Sequence, residues 1–182
     1  MNVSDAQRDL RRAFVGGGPG VFVSALVWFA AAAVEHSEGI GRAFAVLFFG
    51  GMLILPLATI ASRLLFRREK EASGNPLGAT ALESTIAMIG GLFAAWLFLP
   101  FQPTYVFPLA AIAVGTHYAV FKTVYGDALF WVLGGLITAT GILGIFKVVP
   151  IPGGPILAVG AIELLFAVLL TMRASRTDRS AR

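Results

Sequence analysis

Six long apolar stretches, separated by short polar breaks, leave this 182-residue chain few ways to fold. A helix needs about 20 mostly apolar residues to cross the hydrocarbon of a bilayer. A backbone in that setting must satisfy its own N–H and C=O groups, which an α-helix does within one segment. The stretches lie at about 14–34, 43–66, 76–99, 104–121, 128–146 and 153–172. Charged residues make up only 13% of the chain, where soluble domains carry about 25%. The reading is therefore all-α: one integral membrane domain over 1–182, a polytopic six-helix bundle.

Charge placement orients the bundle. With the N-terminus inside, the inner segments carry twelve of the fourteen lysines and arginines, and the outer ones only Arg42 and Lys147. Such a bias places the basic loops and both termini in the cytoplasm. Arg11 and Arg12 then act as inside anchors of an uncleaved first span, although "LRRAFVGG" imitates a twin-arginine export signal. Trp28, Trp96, Tyr105, Tyr118, Tyr125 and Trp131 are read as interfacial anchors. The net charge of +4 is not a nucleic-acid signature, because the arginines sit at membrane borders. The partners expected are the lipid bilayer, anionic headgroups at the basic cytoplasmic segments, and other copies of the chain in a homo-oligomer.

Local punctuation adds detail. Pro56 lacks an N–H and should kink the second span. Asn75-Pro76 reads as the cap and first residue of the third helix, and Asp127 as the cap of the fifth. The chain has no cysteine, which excludes disulfides, thiolate metal sites and a cysteine nucleophile. It contains no HExxH, GxSxG or Walker loop, and "GGGPG" at 16–20 lacks the lysine of a phosphate loop. Neither an enzymatic activity nor a cofactor is indicated.

Ionisable groups inside apolar spans are the candidate polar site: Glu83, His117 and Glu163. Glu83 lies about 10 Å inside the third helix and shares a face with Ala79, Thr80, Ala87, Gly90 and Ala94. Small residues let helices approach closely, so Glu83 is expected to face the interior at the depth of His117; snorkelling to the interface is the alternative. His117 is read either as a proton relay or as an imidazole bonded to a backbone carbonyl. Glu163, mid-span in the last helix, is read either as a functional acid or as an interhelical hydrogen-bonding group. Arg63 and Lys122 are orientation anchors or neutralising partners of Glu83. Glu35, His36 and Glu38 form an outer polar cluster, read as a solvated loop. Gly-Gly pairs at 50–51 and 134–135, "VF" at 21–22 and 106–107, and "ALE" and "AIE" at 81–83 and 161–163 recur at offsets of 80–85 residues. They suggest a 3+3 inverted repeat, the plan of many transporters, with Glu83 and Glu163 as counterparts.

"LPLATIASRLL" at 55–65, "NPLG" at 75–78 and "VGTHYAVFKTVY" at 114–125 resemble a family of small, uncharacterised bacterial multi-pass membrane proteins. That resemblance implies an inner-membrane location and assigns no activity. Two functions fit the residues: a small transporter or channel with intramembrane carboxylates, and a non-transporting module that packs with partner proteins or with itself.

Overall fold

The computed structural model describes residues 1–147 and 150–180, with side chains through 176. Eight α-helices are present among them: α1 Val3–Ala13, α2 Gly18–Glu38, α3 Ile40–Gly51, α4 Ile54–Leu64, α5 Pro76–Leu97, α6 Val106–Tyr125, α7 Leu129–Phe146 and α8 Gly154–Ser180. Five of these elements are long and apolar enough to cross a membrane, and the bent pair α3–α4 makes a sixth if counted as one span. Exposed side chains such as Leu55, Leu65, Leu82, Ile86 and Phe146 surround the bundle. So much exposed apolar surface is compatible with a membrane-embedded protein.

The expected kink is present, but one turn before Pro56. The axis bends by 46° between α3 and α4, at Met52-Leu53, where the N–H groups bond back three residues, to Phe49 and Gly50. Pro56 leaves the carbonyl of Met52 without its helical donor, and its ring crowds that same carbonyl. The break therefore falls at i−4.

Ahead of the first span, the polar residues 3–13 form the helix α1. Asn2 caps it by accepting from the Asp5 N–H at 2.9 Å. Ala6, Leu10 and Ala13, at helical spacing, are buried. Gly16 and Gly17 have φ of 63° and 83°, a left-handed conformation that glycine adopts freely. This reversal folds α1 back over the ends of α5 and α6, against Leu77 and Val124. A Cβ on Gly17 would also stand 2.9 Å from the Phe130 ring, so the turn needs glycine twice over.

The bundle consists of two packed groups. α2 lies against α3, α4 and α8, and α6 lies against α5 and α7. The α6–α7 pair is the closest: a Cβ on Gly134 would meet the Gly115 carbonyl at 2.5 Å, and one on Gly141 the Pro108 carbonyl at 2.5 Å. α8 joins the groups by touching both α6 and α7. α4 and α5, consecutive in the chain, do not pack along one another. Arg173 on α8 reaches Asp127 at 3.2 Å, and Arg12 on α1 reaches Glu69 at 2.6 Å. The N-terminus, the 66–75 loop, the α6–α7 link and the last turns of α8 thus share one end of the bundle. α8 runs on past the expected end at 172, while residues 181–182 of the basic tail and 148–149 of the "KVVPIPGGP" link lie outside the described residues.

Candidate functional site

Glu163 is completely buried in the middle of α8. Its Oε1 accepts a hydrogen bond from the Ser24 hydroxyl of α2 at 3.0 Å. The Trp28 indole and the Tyr118 hydroxyl face the same carboxyl group. Trp28 is 1% exposed and Tyr118 5%, so neither is the interfacial anchor that its position suggested. Each turns its polar end toward the buried acid and packs its ring in the core, the usual arrangement for a buried Trp or Tyr. Glu163 Oε2 has no hydrogen-bond partner among the described residues.

A cavity of about 590 Å³ lies beside this cluster, between α4 and α5, with α2 and α6 as its floor. Ser24, Trp28 and Tyr118 form part of its wall, so it comes within one side chain of Glu163. Most of the remaining wall is apolar, including Leu47, Leu55, Ala58, Leu82 and Leu92. At the terminus-bearing end the rim is polar, formed by residues 70–75. Small residues on its wall, among them Gly20, Gly51, Ala58 and Gly78, leave the space open.

His117 also lines the cavity. Its Nδ1 is 2.8 Å from the Ser84 Oγ of α5, and its ring meets Phe121 edge-on, with centroids 4.6 Å apart. His117 is thus held by Ser84, through its hydroxyl and its backbone, and not by Glu83. The expectation that Glu83 faces the interior does not hold. Glu83 is exposed, and so are Ala79, Ala87, Gly90 and Ala94 on its side of α5. One residue of rotation decides this: α5 turns Ser84, Leu92 and Ala95 inward, which leaves the small-residue stripe outside. The structure therefore does not bring Glu83 and Glu163 together, and as counterparts in a repeat they have unlike surroundings. Neither proposed neutralising partner forms an ion pair with Glu83. Lys122 places its ammonium 4.8 Å from the Trp131 ring centroid, a cation–π contact, and Arg63 is exposed on α4. In the outer cluster, Glu38 pairs with Arg42 at 2.5 Å, and no group of three acidic or histidine side chains among the described residues converges as a metal site.

The cavity's polar rim is tied to α1. Asn75 caps α5 by accepting from the Leu77 N–H at 3.1 Å. Its amide donates to the Ala6 carbonyl and to Asp9 Oδ2, both at 3.0 Å. The same Asp9 oxygen accepts from the Ala72 N–H at 2.8 Å. Burial pushes the Asp9 carboxyl up, but the bonds from Asn75, Ala72 and Arg12 together hold it below its ordinary value. On the far side of α1, Gln7 donates to the Thr123 carbonyl at 2.8 Å and Arg11 to that of Tyr125. Leu10 and Phe14 of this region face the cavity. The N–H of Leu129 bonds the Asp127 carboxylate at 2.9 Å, so Asp127 satisfies the first N–H of α7 from one residue before the cap position, which Ala128 holds.

Sequence reasoning missed Ser24, Trp28, Tyr118 and Ser84. A signal for the first two was present: Ser24 and Trp28 stand at i and i+4 in an otherwise apolar helix, hence on one face. No curated protein and no solved structure matches the chain. A family model matches residues 3–173, reaching from α1 into α8 past Glu163, and the chain accordingly belongs to the family of unknown function DUF7010.

Proposed function

We propose that this protein is a small membrane transporter of six spans, with its termini and the basic end of the bundle in the cytoplasm. In this reading the cavity between α4 and α5 is the substrate path and Glu163 the buried acid beside it. The observation that carries the reading is the shared wall: Ser24, Trp28 and Tyr118 both surround Glu163 and line the cavity. The charge pattern supports the orientation, since the segments at the terminus-bearing end hold nearly all the lysines and arginines. These basic segments also suit anionic headgroups. A bacterial inner membrane is the compartment that the sequence resemblance suggests.

The native chain contains no cysteine, which makes the test clean. Single variants Ser24→Cys and Thr85→Cys, in sealed vesicles, are exposed to a membrane-impermeant thiol reagent from one side and then from the other. Transport by alternating access requires modification from both sides. Modification from one side only refutes the path and leaves a binding pocket; none at all favours a packed module.

A second reading has its own observation. The exposed stripe Ala79, Glu83, Ala87, Gly90 and Ala94 on α5 offers a small-residue face to a second copy. Gly90→Cys should then form a disulfide-linked dimer under mild oxidation, while an outward control such as Leu136→Cys should not.

A further inference from the structure

Resting on the reading of the cavity as a binding site, we infer that its occupant is a membrane amphiphile with a hydrocarbon chain and an anionic headgroup. The chain enters sideways between α4 and α5, and the head stays at the rim beside Lys70. Three observations lead there.

The first is the split between consecutive helices. α4 leans on α2 and α5 on α6, so the space between them is bounded by two helices whose outer faces carry exposed Leu57, Ile60, Ile86 and Ile89. The slit therefore lies at the level of the apolar belt. A molecule already dissolved in hydrocarbon reaches it without crossing water.

The second is the distribution of polarity. Pockets for small molecules are mostly apolar with a few placed polar groups. Here the shaft is walled by leucine, alanine and glycine, while the polar groups gather at the 70–75 rim and at Ser24, His117 and Tyr118. A small hydrophilic solute would have to shed its water against the apolar shaft, which is costly. A hydrocarbon chain gains from the same surface. The volume of about 590 Å³ falls within the range of about 300–1,000 Å³ usual for ligand pockets.

The third is charge at the rim. Lys70 belongs to the cavity wall and is exposed. Arg12, beside it, donates to the Lys70 carbonyl but is occupied by Asp9 and Glu69. Lys70 has no ion-pair partner among the described residues, and its ammonium suits a carboxylate or phosphate head. Glu71 stands next to it on the rim and discourages a second negative charge.

The test uses the full chain in nanodiscs of neutral lipid, with two photoactivatable C18 probes that carry the diazirine in the chain. One ends in a carboxylate and the other in a trimethylammonium group. Adducts of the carboxylate probe should map to cavity residues such as Leu55, Ala58 and Thr85. Gly78 lines the cavity, with nothing within 4 Å of an added Cβ, so Gly78→Phe should intrude on the chain's space. Displacing two methylenes should lower labelling by about tenfold. Ala81→Phe, on the same wall, provides a second plug, and melting of each variant checks that it folds. Leu136→Phe, on the outer face of α7 and away from the cavity, should change nothing. Lys70→Glu should weaken the carboxylate probe and strengthen the ammonium one. Phosphatidylglycerol, which carries one negative charge, should displace the carboxylate probe if the occupant is a phospholipid and leave it bound if the occupant is a free fatty acid. Adducts spread evenly over Ile86 and Phe93, and insensitive to both plugs, would mean only the surrounding lipid shell and would overturn the inference. Two-sided thiol access without cavity adducts would overturn the occupant while keeping the path; cavity adducts without two-sided access would do the reverse.

Discussion

Asn75→Ala should release α1 from the bundle while leaving the spans folded. The side chain makes three bonds: it caps α5 through the Leu77 N–H, and it donates to the Ala6 carbonyl and to the Asp9 carboxylate. Loss of a cap costs about 1 kcal/mol. A buried neutral hydrogen bond is worth about 1 kcal/mol and one to a charged group about 1.5 or more. The cap loss falls on the first turn of α5. The other two losses, about 2.5 kcal/mol together, fall on the docking of α1. That corresponds to a rise of roughly 60-fold in the undocked population. Hydrogen exchange reads this directly, because amides of a locally opening element exchange in proportion to that population. Protection across α1 should fall by well over tenfold in Asn75→Ala, with α6 and α7 unchanged. Asn75→Asp keeps the cap acceptor but loses both donations and sets a carboxylate beside Asp9, so it should undock α1 at least as far with less effect on the start of α5. If α1 protection in Asn75→Ala stays within threefold (about 0.6 kcal/mol) of the parent, then the apolar contacts of Ala6 and Leu10 and the bonds of Gln7 and Arg11 to α6 hold the helix, and the Asn75 latch does not.

Further outcomes follow from the same bonds and contacts. Glu163→Gln keeps the shape and can still accept from Ser24, so its melting should match the parent, whereas Glu163→Leu strands the Ser24 hydroxyl and should cost about 1–2 kcal/mol, read as a drop of several degrees. Gly134→Ala drives a methyl against the Gly115 carbonyl and should cost about 1–3 kcal/mol as overpacking, while Gly135→Ala, with open space before it, should be neutral in the same melting assay. Asp9 is a carboxylate held below its ordinary value, so its contribution is complete above the unfolded value of about 3.9 and is lost as pH falls through the lower folded value. α1 protection should therefore be flat from neutral pH down to about pH 5 and fall below about pH 4, and Asp9→Asn should lose that acid-side slope.

What the sequence revealed was depth along each helix, and what it hid was direction around it. Hydropathy averaged over a span located α5, α6 and α7 within a few residues, because solvation of apolar surface is summed over the whole segment. The same averaging erased α1, whose buried apolar residues are only Ala6, Leu10 and Ala13 on one stripe. Their helical spacing and the Asn2 cap were readable, but only at the scale of three turns. Asn75, Asp127 and Pro56 were legible because caps and prolines act through the local backbone, which needs no knowledge of neighbours.

Facing is a property of pairs of helices, and there the inference from small residues failed in an instructive way. Small residues mark a close approach only when another helix is present to make it. On α7, Gly134 and Gly141 meet backbone carbonyls of α6, while on α5 the stripe beside Glu83 is exposed and a Cβ on Gly90 would meet nothing within 4 Å. The two glutamates differ for the same reason. The helix that holds Glu163 touches three spans at once, α2, α6 and α7, so most directions around its axis lead into protein, and Ser24, Trp28 and Tyr118 are there to receive it. α5 leans on α6 along one side only, so a carboxylate placed at random on it more often points outward. The number of neighbours a helix has, set by the long-range packing of the bundle, decided which acid became buried, and hydropathy carries no record of that number.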